Sequence, residues 1–296
     1  MDSVVLSEYD DSKEFVFPKQ ICINLFSYIR KTKNKIPIVF SKTDWLQQDF
    51  EIIEKDGREC IIVCGNSDYC VGHSYHPMGE KLVDFVPRNV IKIFSQNCLI
   101  KKNHVNYEKF EIIPLGMDNY TSCKRQNYGS IPTHAPEKYN LLNSLDTTIK
   151  PKTDILYSNF TLRMDCQSRN HRQLIKDISI NSAHIKWQEN NLTHEQFYKQ
   201  VLNHEAIVCA QGNGPGDNHR IYEILYLNRI PITFNPEMYE RLHKHFPIVC
   251  LEKEDMLRDF SYVKKRIDEV KNKNFNKQFL NSEYWVEKII SDNKKI

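Results

Sequence analysis

Glycine is scarce in this chain, with nine in 296 residues. An excess of either charge is lacking too: 41 Lys and Arg stand against 38 Asp and Glu, a formal net charge of +3. Binding a phosphate backbone needs a strongly basic face, so nucleic acid is not an expected partner. No apolar run approaches the roughly 20 residues that cross a bilayer. The first residues, MDSVVLSEYDDSKEF, are acidic and polar, unlike a signal peptide, so no membrane anchor is expected. Nine cysteines, an odd number, are scattered without a CxxC pair. That excludes a disulfide framework and gives no zinc-site spacing; thiols set inside apolar runs read as reduced core residues of a cytoplasmic protein. What remains is a globular chain, 40% hydrophobic and 27% charged, long enough for two ordinary domains or one large one.

Because glycine is sparse, its clustering carries information. Three glycines fall in Gly212–Asp217, inside AIVCAQGNGPGDNHRIYEILYLNRIPITF at 206–234. Ala206–Ala210 reads as a buried strand, Asn218–Asn228 as a helix with Ile221, Ile224, Leu225 and Leu227 on one face, and Ile230–Phe234 as a second strand. This is a βαβ unit with a turn suited to phosphate, since glycine admits an anion close to the backbone and the first N–H groups of the helix point at it. His219, Arg220 and Glu223 share a face of the first helical turns. A cation there opposes the helix dipole, so Arg220 is poorly placed for helix stability and well placed for a diphosphate; the alternative is a solvated helix start with an Arg–Glu pair. No GxGxxG and no GK[ST] follows a strand, which excludes the dinucleotide and Walker fingerprints.

Elsewhere, strands are expected at Ile36–Phe40, Glu59–Val63, Val90–Phe94, Phe110–Pro114, Asp154–Asn159, Ala183–Lys186 and Ile248–Leu251. Residues 1–16 read as a loose lead-in and Lys19–Lys31 as helix or strand. Thr43–Phe50 reads as a short helix or loop, Asp68–Glu80 as a loop lining a site, and Glu137–Leu145 as a weak helix. Further helices are expected at Arg169–Asp177, Thr193–Asn203 with a capping box, Glu237–Lys244, Phe260–Lys271 and Phe275–Ile290, the last before a frayed tail. Strands ending in polar or Gly-bearing turns, alternating with helices, form Rossmann-like α/β sheets. The rhythm breaks over Tyr120–Pro151, so domains are expected at 1–150 and 151–296, with helix 275–290 crossing back to the first.

Four segments, in order, resemble the exostosin-like glycosyltransferases, the family 47-type enzymes of the GT-B fold: VCGNSDY at 63–69, FSQN…IIPLGMDN at 94–119, LYSNF…R at 156–169 and GNG…D.HR..E.L…IPI at 212–232. The Gly-rich loop is one residue longer before Asp217 than the family pattern, and the membrane anchor common in that family is not expected here, so the expectation is a soluble bacterial or viral relative located in the cytoplasm, the host's if viral. The resemblance implies two Rossmann-like domains facing across a cleft, an amino-terminal one for the acceptor and a carboxyl-terminal one for a nucleotide-sugar. It implies an inverting transferase that moves a sugar from a UDP-sugar, UDP-xylose being the single guess, to a hydroxyl of an oligosaccharide or glycoprotein glycan. No cofactor and no metal are expected, and no DxD motif serves a metal. Arg163, Arg169 and Arg220, with Gly212, Asn213, Gly214 and His219, are the diphosphate candidates, and Glu223 the ribose ligand. Asp68, at the carboxyl end of a first-domain strand, is the expected base, or else a turn-forming residue. His73 and His76 are the other bases, and Asn97 and Asp118 acceptor-side candidates. A non-catalytic nucleotide-sugar or glycan-binding protein on the same scaffold is the alternative.

Overall fold

In the computed structural model, which describes residues 36–65, 67–74, 76–116, 135–162, 168–189, 191–212 and 214–295, the chain forms two units, each built on its own parallel sheet. Met1–Leu115 and Lys277–Ile296 group as the first unit, Gly116–Asn276 as the second. The lead-in and the 19–31 segment lie outside the described residues.

In the first unit, β1 (Ile38–Lys42), β2 (Cys60–Gly65), β3 (Val90–Ser95) and β4 (Phe110–Ile112) lie side by side in chain order, all parallel. Every residue of β2 is buried, as expected of a strand covered on both faces. Helix α1 (Leu46–Asp56) returns the chain from β1, preceded by a 3-10 turn at Thr43–Trp45. It is longer than the sequence indicates because Phe50 and Ile53, one turn apart, both bury against the sheet while Gly57 closes the helix at φ +73. Gly65 is needed for a different reason: a Cβ there would lie 2.4 Å from the Gln96 amide oxygen, and Gln96 is buried with its Nε2 donating to the Pro114 carbonyl at 3.2 Å.

The carboxyl-terminal segment is two pieces rather than one helix. A 3-10 turn covers Lys277–Leu280 and α8 spans Ser282–Lys295. The break sits at Asn281, whose side chain accepts from the Glu283 N–H at 3.0 Å and so restarts the helix. The 291–295 stretch continues the helix instead of fraying. Trp285, Val286, Ile289 and Ile290 bury one face, and Lys288 pairs with Glu111 of β4.

The second unit holds β5 (Leu156–Ser158), β6 (Ile185–Trp187), β7 (Ala206–Val208), β8 (Ile230–Thr233) and β9 (Val249–Cys250), all parallel, in spatial order β6-β5-β7-β8-β9. Counted from β5 that is 2-1-3-4-5, a doubly wound order in which the winding reverses between β5 and β7. Helices α2 (Ala135–Ser144), α3 (Ser168–Ile180), α4 (His194–Asn203), α5 (His219–Tyr226), α6 (Pro236–Arg241) and α7 (Phe260–Lys271) belong to this unit. Leu156, Val208 and Ile232 pack in one core with Ile175 and Ile178 of α3 and Val263 and Ile267 of α7. On the opposite face Tyr157 meets Phe197 of α4. The capping box of α4 forms as read from sequence: the Thr193 hydroxyl accepts from the Gln196 N–H at 3.2 Å, and the Gln196 side chain accepts from the Thr193 N–H at 2.9 Å. Helix α2 is anchored here through the Asn143–Tyr226 hydrogen bond.

Candidate functional site

In open parallel sheets a ligand crevice forms beyond the carboxyl ends of the strands at the point where the winding reverses. In the second unit that point lies between the ends of β5 and β7. The chain leaves β5 through Asn159 and β7 through Cys209, Ala210, Gln211 and Gly212 into the glycine-bearing turn. Asn218 then caps α5: its side chain accepts from the Ile221 N–H at 3.3 Å and donates to the Ala210 carbonyl at 3.4 Å, tying the helix start to the strand end.

Arg220 is the second residue of α5. Its guanidinium turns away from the helix to donate to the backbone carbonyl of Asn159 at the end of β5. It also lies 4.6 Å from the Phe197 ring centroid, a cation–π contact that holds the group in place. Asn159 is itself fixed, its amide donating to the carbonyls of Gln188 and Glu189 beyond β6, both at 3.0 Å. A guanidinium carries five N–H donors, so one bond to Asn159 leaves capacity for a further anion at the reversal point. Glu223, one turn along the same face, is buried. Both charges bear on the Cys209 thiol: burial pushes it up to about 12, Arg220 pulls it down and Glu223 raises it. Arg220 and Glu223 therefore face the same strand end. The His219 Nδ1–H donates to the Gly116 carbonyl at 2.8 Å, which orients the ring and leaves Nε2 for other partners.

Three groups around this loop escape the sequence reading. Asp217, wholly buried, accepts from the Asn218 N–H at 2.9 Å, from the Tyr222 hydroxyl, and from buried His243 at 3.0 Å. It braces the turn from beneath. His171 and Arg172, consecutive on α3, meet the turn from the other side. The Gln211 N–H donates to His171 Nε2 at 3.1 Å, and Arg172 Nε donates to the Gln211 carbonyl at 2.8 Å. The signal available in the sequence is the run Ser168-Arg169-Asn170-His171-Arg172, a cluster of basic side chains at the start of a helix, of which His171 and Arg172 bond to Gln211.

Of the diphosphate candidates, Gly212, Gly214, His219 and Arg220 thus surround one loop with Glu223, and Asn213 and Arg163 lie outside the described residues. Arg169 is the second residue of α3. In the first unit, Asp68 is exposed in the loop after β2. Asn97, at φ +47 after β3, donates to the Ser67 carbonyl at 3.2 Å and so holds that loop. His73 is half-buried in the same loop. His76 is buried, with Nε2 donating to the Thr43 carbonyl at 3.1 Å and Nδ1 accepting from the Met78 N–H at 3.0 Å. Both ring nitrogens are thereby committed, so His76 has no lone pair for a substrate proton; its place is structural. Asp118 lies outside the described residues. Among the described residues no group of three or more His, Cys, Asp or Glu is arranged to hold a metal. No helix among them is long and apolar enough to cross a membrane.

No protein-family model matches the chain, and no curated protein does. Among solved structures it is similar to the spinosyn rhamnosyltransferase SpnG, with 9% identity and a TM-score of 0.38 over 93% of this chain and 76% of that one. The glycotransferase of kitacinnamycin matches with 9% identity and a TM-score of 0.38 over 94% of this chain and 81% of that one. A UDP-glucosyltransferase from Polygonum tinctorium matches with 8% identity and a TM-score of 0.36 over 94% and 80%. A likeness this distant decides neither activity nor substrate.

Proposed function

We propose that this chain is a GT-B glycosyltransferase that moves a sugar from a UDP-sugar to a hydroxyl of a glycan acceptor, with inversion and without a metal. The observation that carries the reading is the Arg220 guanidinium, fixed on the Asn159 carbonyl at the reversal point of the second sheet, beside a glycine-bearing turn and a capped helix start. A fixed cation and backbone N–H groups at such a point suit a diphosphate. Glu223, buried on the same face, suits the ribose hydroxyls. The four segments that resemble exostosin-like enzymes support a UDP donor, with UDP-xylose the first to try.

The chemistry then needs little beyond positioning. The acceptor hydroxyl oxygen forms a bond to the anomeric carbon as the bond from that carbon to the diphosphate breaks. The electron pair leaves with UDP, where Arg220 and the turn backbone meet the added charge. The hydroxyl proton goes to a base. Asp68 takes that part in this proposal; its exposure on the β2 loop leaves it accessible to an acceptor. A cytoplasmic location belongs to the same reading.

Thermal shift of the purified chain against nucleotides and nucleotide-sugars, without metal, tests the proposal. A rise with UDP, larger with one UDP-sugar, and release of UDP only when a glycan acceptor is added are the expected results. Binding without acceptor-dependent turnover would favour a non-catalytic nucleotide-sugar-binding protein. No shift with any nucleotide would overturn the donor site.

A further inference from the structure

The peptide of Gln211, which leads into the glycine-bearing turn, is gripped at both of its polar ends by neighbouring side chains of α3. Its N–H donates to His171 Nε2 at 3.1 Å and its carbonyl accepts from Arg172 Nε at 2.8 Å. Each side chain has a second anchor. His171 Nδ1 donates to the Glu254 carboxylate, on the 3-10 turn Glu254–Arg258. Arg172 Nη1 donates to the Thr161 carbonyl at 2.8 Å, beyond β5, and its guanidinium lies 5.6 Å from the Phe160 ring centroid. The clamp thus joins the loop after β5 and the loop after β7, which frame the reversal point, to the turn that follows β9.

We propose that His171 and Arg172 are positioning residues that set the backbone of the glycine-bearing turn for the donor diphosphate, and that His171 does so only as a neutral ring. This rests on the nucleotide-sugar reading above. The hydrogen-bond directions require it. A backbone N–H donates to Nε2, so Nε2 is a bare acceptor, and the ring's single proton sits on Nδ1 facing Glu254. A second proton would land on Nε2, opposite another donor, and the Gln211 N–H would lose its partner. The charges that bear on the ring are Glu254, which raises its affinity for that proton, and Arg172, which lowers it; burial lowers it more, and the Phe234 ring against it is neutral. The neutral clamp therefore holds at and above neutral pH and is lost in acid.

Calorimetric titration with UDP-xylose between about pH 5 and about pH 8 tests this, because histidine titrates in that window while the diphosphate of a nucleotide-sugar, esterified at both ends, takes up no proton there. Wild-type affinity is expected to fall about tenfold toward the acid end, the size of effect that losing one well-placed hydrogen bond produces. His171→Gln supplies an amide oxygen for the Gln211 N–H and cannot titrate, so it should keep the neutral-pH affinity and flatten the profile. His171→Phe should weaken binding at every pH. Glu254→Gln should move the wild-type fall to lower pH. Arg172→Ala should weaken binding throughout and, by removing a charge that opposes protonation of the ring, move the fall to higher pH. A wild-type slope retained in His171→Gln, or full affinity in folded His171→Phe, would overturn the inference and leave the donor site standing. A wild-type chain that binds neither UDP nor UDP-xylose at any pH would overturn both.

Discussion

The two sheets finish their strands in contrasting ways. In the first unit the strands lie in chain order, so every connection among the described strands steps to the same side and none diverges from its neighbour. The polar residues at those ends are turned on one another: Gln96 on the Pro114 carbonyl, Asn97 on the Ser67 carbonyl, His76 on the Thr43 carbonyl. In the second unit the order reverses between β5 and β7. Loops there leave in opposite directions, and polar and charged side chains from α3 and α5 reach the gap: Arg172, His171, Arg220 and Glu223. Similar strand-end chemistry thus closes one sheet and equips the other, and the strand order decides which. In the proposed reading the donor binds at the second unit, and Asp68 stands exposed in the loop after β2 of the first.

The largest effect should come from Asp68→Asn. If it supplies the base, kcat should fall about 10²–10⁴-fold while calorimetric affinity for the UDP-sugar is unchanged. Near-normal turnover would remove catalysis from that loop. Asp217→Ala breaks the buried contact with His243, whose partners are both at most 1% exposed, and leaves an unpaired group in the core. Urea unfolding should show a loss of about 3–5 kcal/mol; a loss below about 1 kcal/mol would mean that the turn does not depend on this brace. Arg220→Ala should weaken UDP by about ten- to a hundredfold, as expected for a charge-assisted contact to phosphate, with a modest fall in melting temperature as the Asn159 carbonyl and the Phe197 ring lose their contact while the helix keeps its Asn218 cap. Unaltered affinity would sever the strand reversal from donor binding.

Much of this was legible in the sequence, for physical reasons. The nine strands among the described residues fall where apolar runs end in polar turns, because a strand covered on both faces has to be apolar throughout. The α5 start and its Arg220–Glu223 face followed from a glycine cluster in a glycine-poor chain. What could not be read were choices set by long-range approach. Arg172 meets the turn through the Gln211 carbonyl, a partner 39 residues further along the chain. His76 looks like a loop histidine until Thr43, 33 residues earlier, presents its carbonyl. Asn281 splits the terminal segment because its side chain competes locally for the Glu283 N–H, a preference that the apolar periodicity of that segment conceals.

The smallest effect concerns Asp49, at the closed end of the first sheet. It is buried on α1, and the Ser41 hydroxyl donates to it at 2.5 Å. Burial holds its carboxyl above the ordinary range, outweighing that hydrogen bond. A folded-state value above the unfolded one means that the native chain binds the proton more tightly. Its stabilising contribution is full below the unfolded value, near pH 4, and is lost as pH rises through the folded one. At neutral pH the charge opposes folding. Asp49→Asn, which keeps an acceptor for Ser41 and carries no charge, should therefore raise the urea midpoint relative to wild type at neutral pH, and the gain should shrink as pH falls toward 4. A difference independent of pH would mean that the carboxylate is solvated well enough to ionise freely, and the first sheet's end would then be less closed than its hydrogen bonds imply.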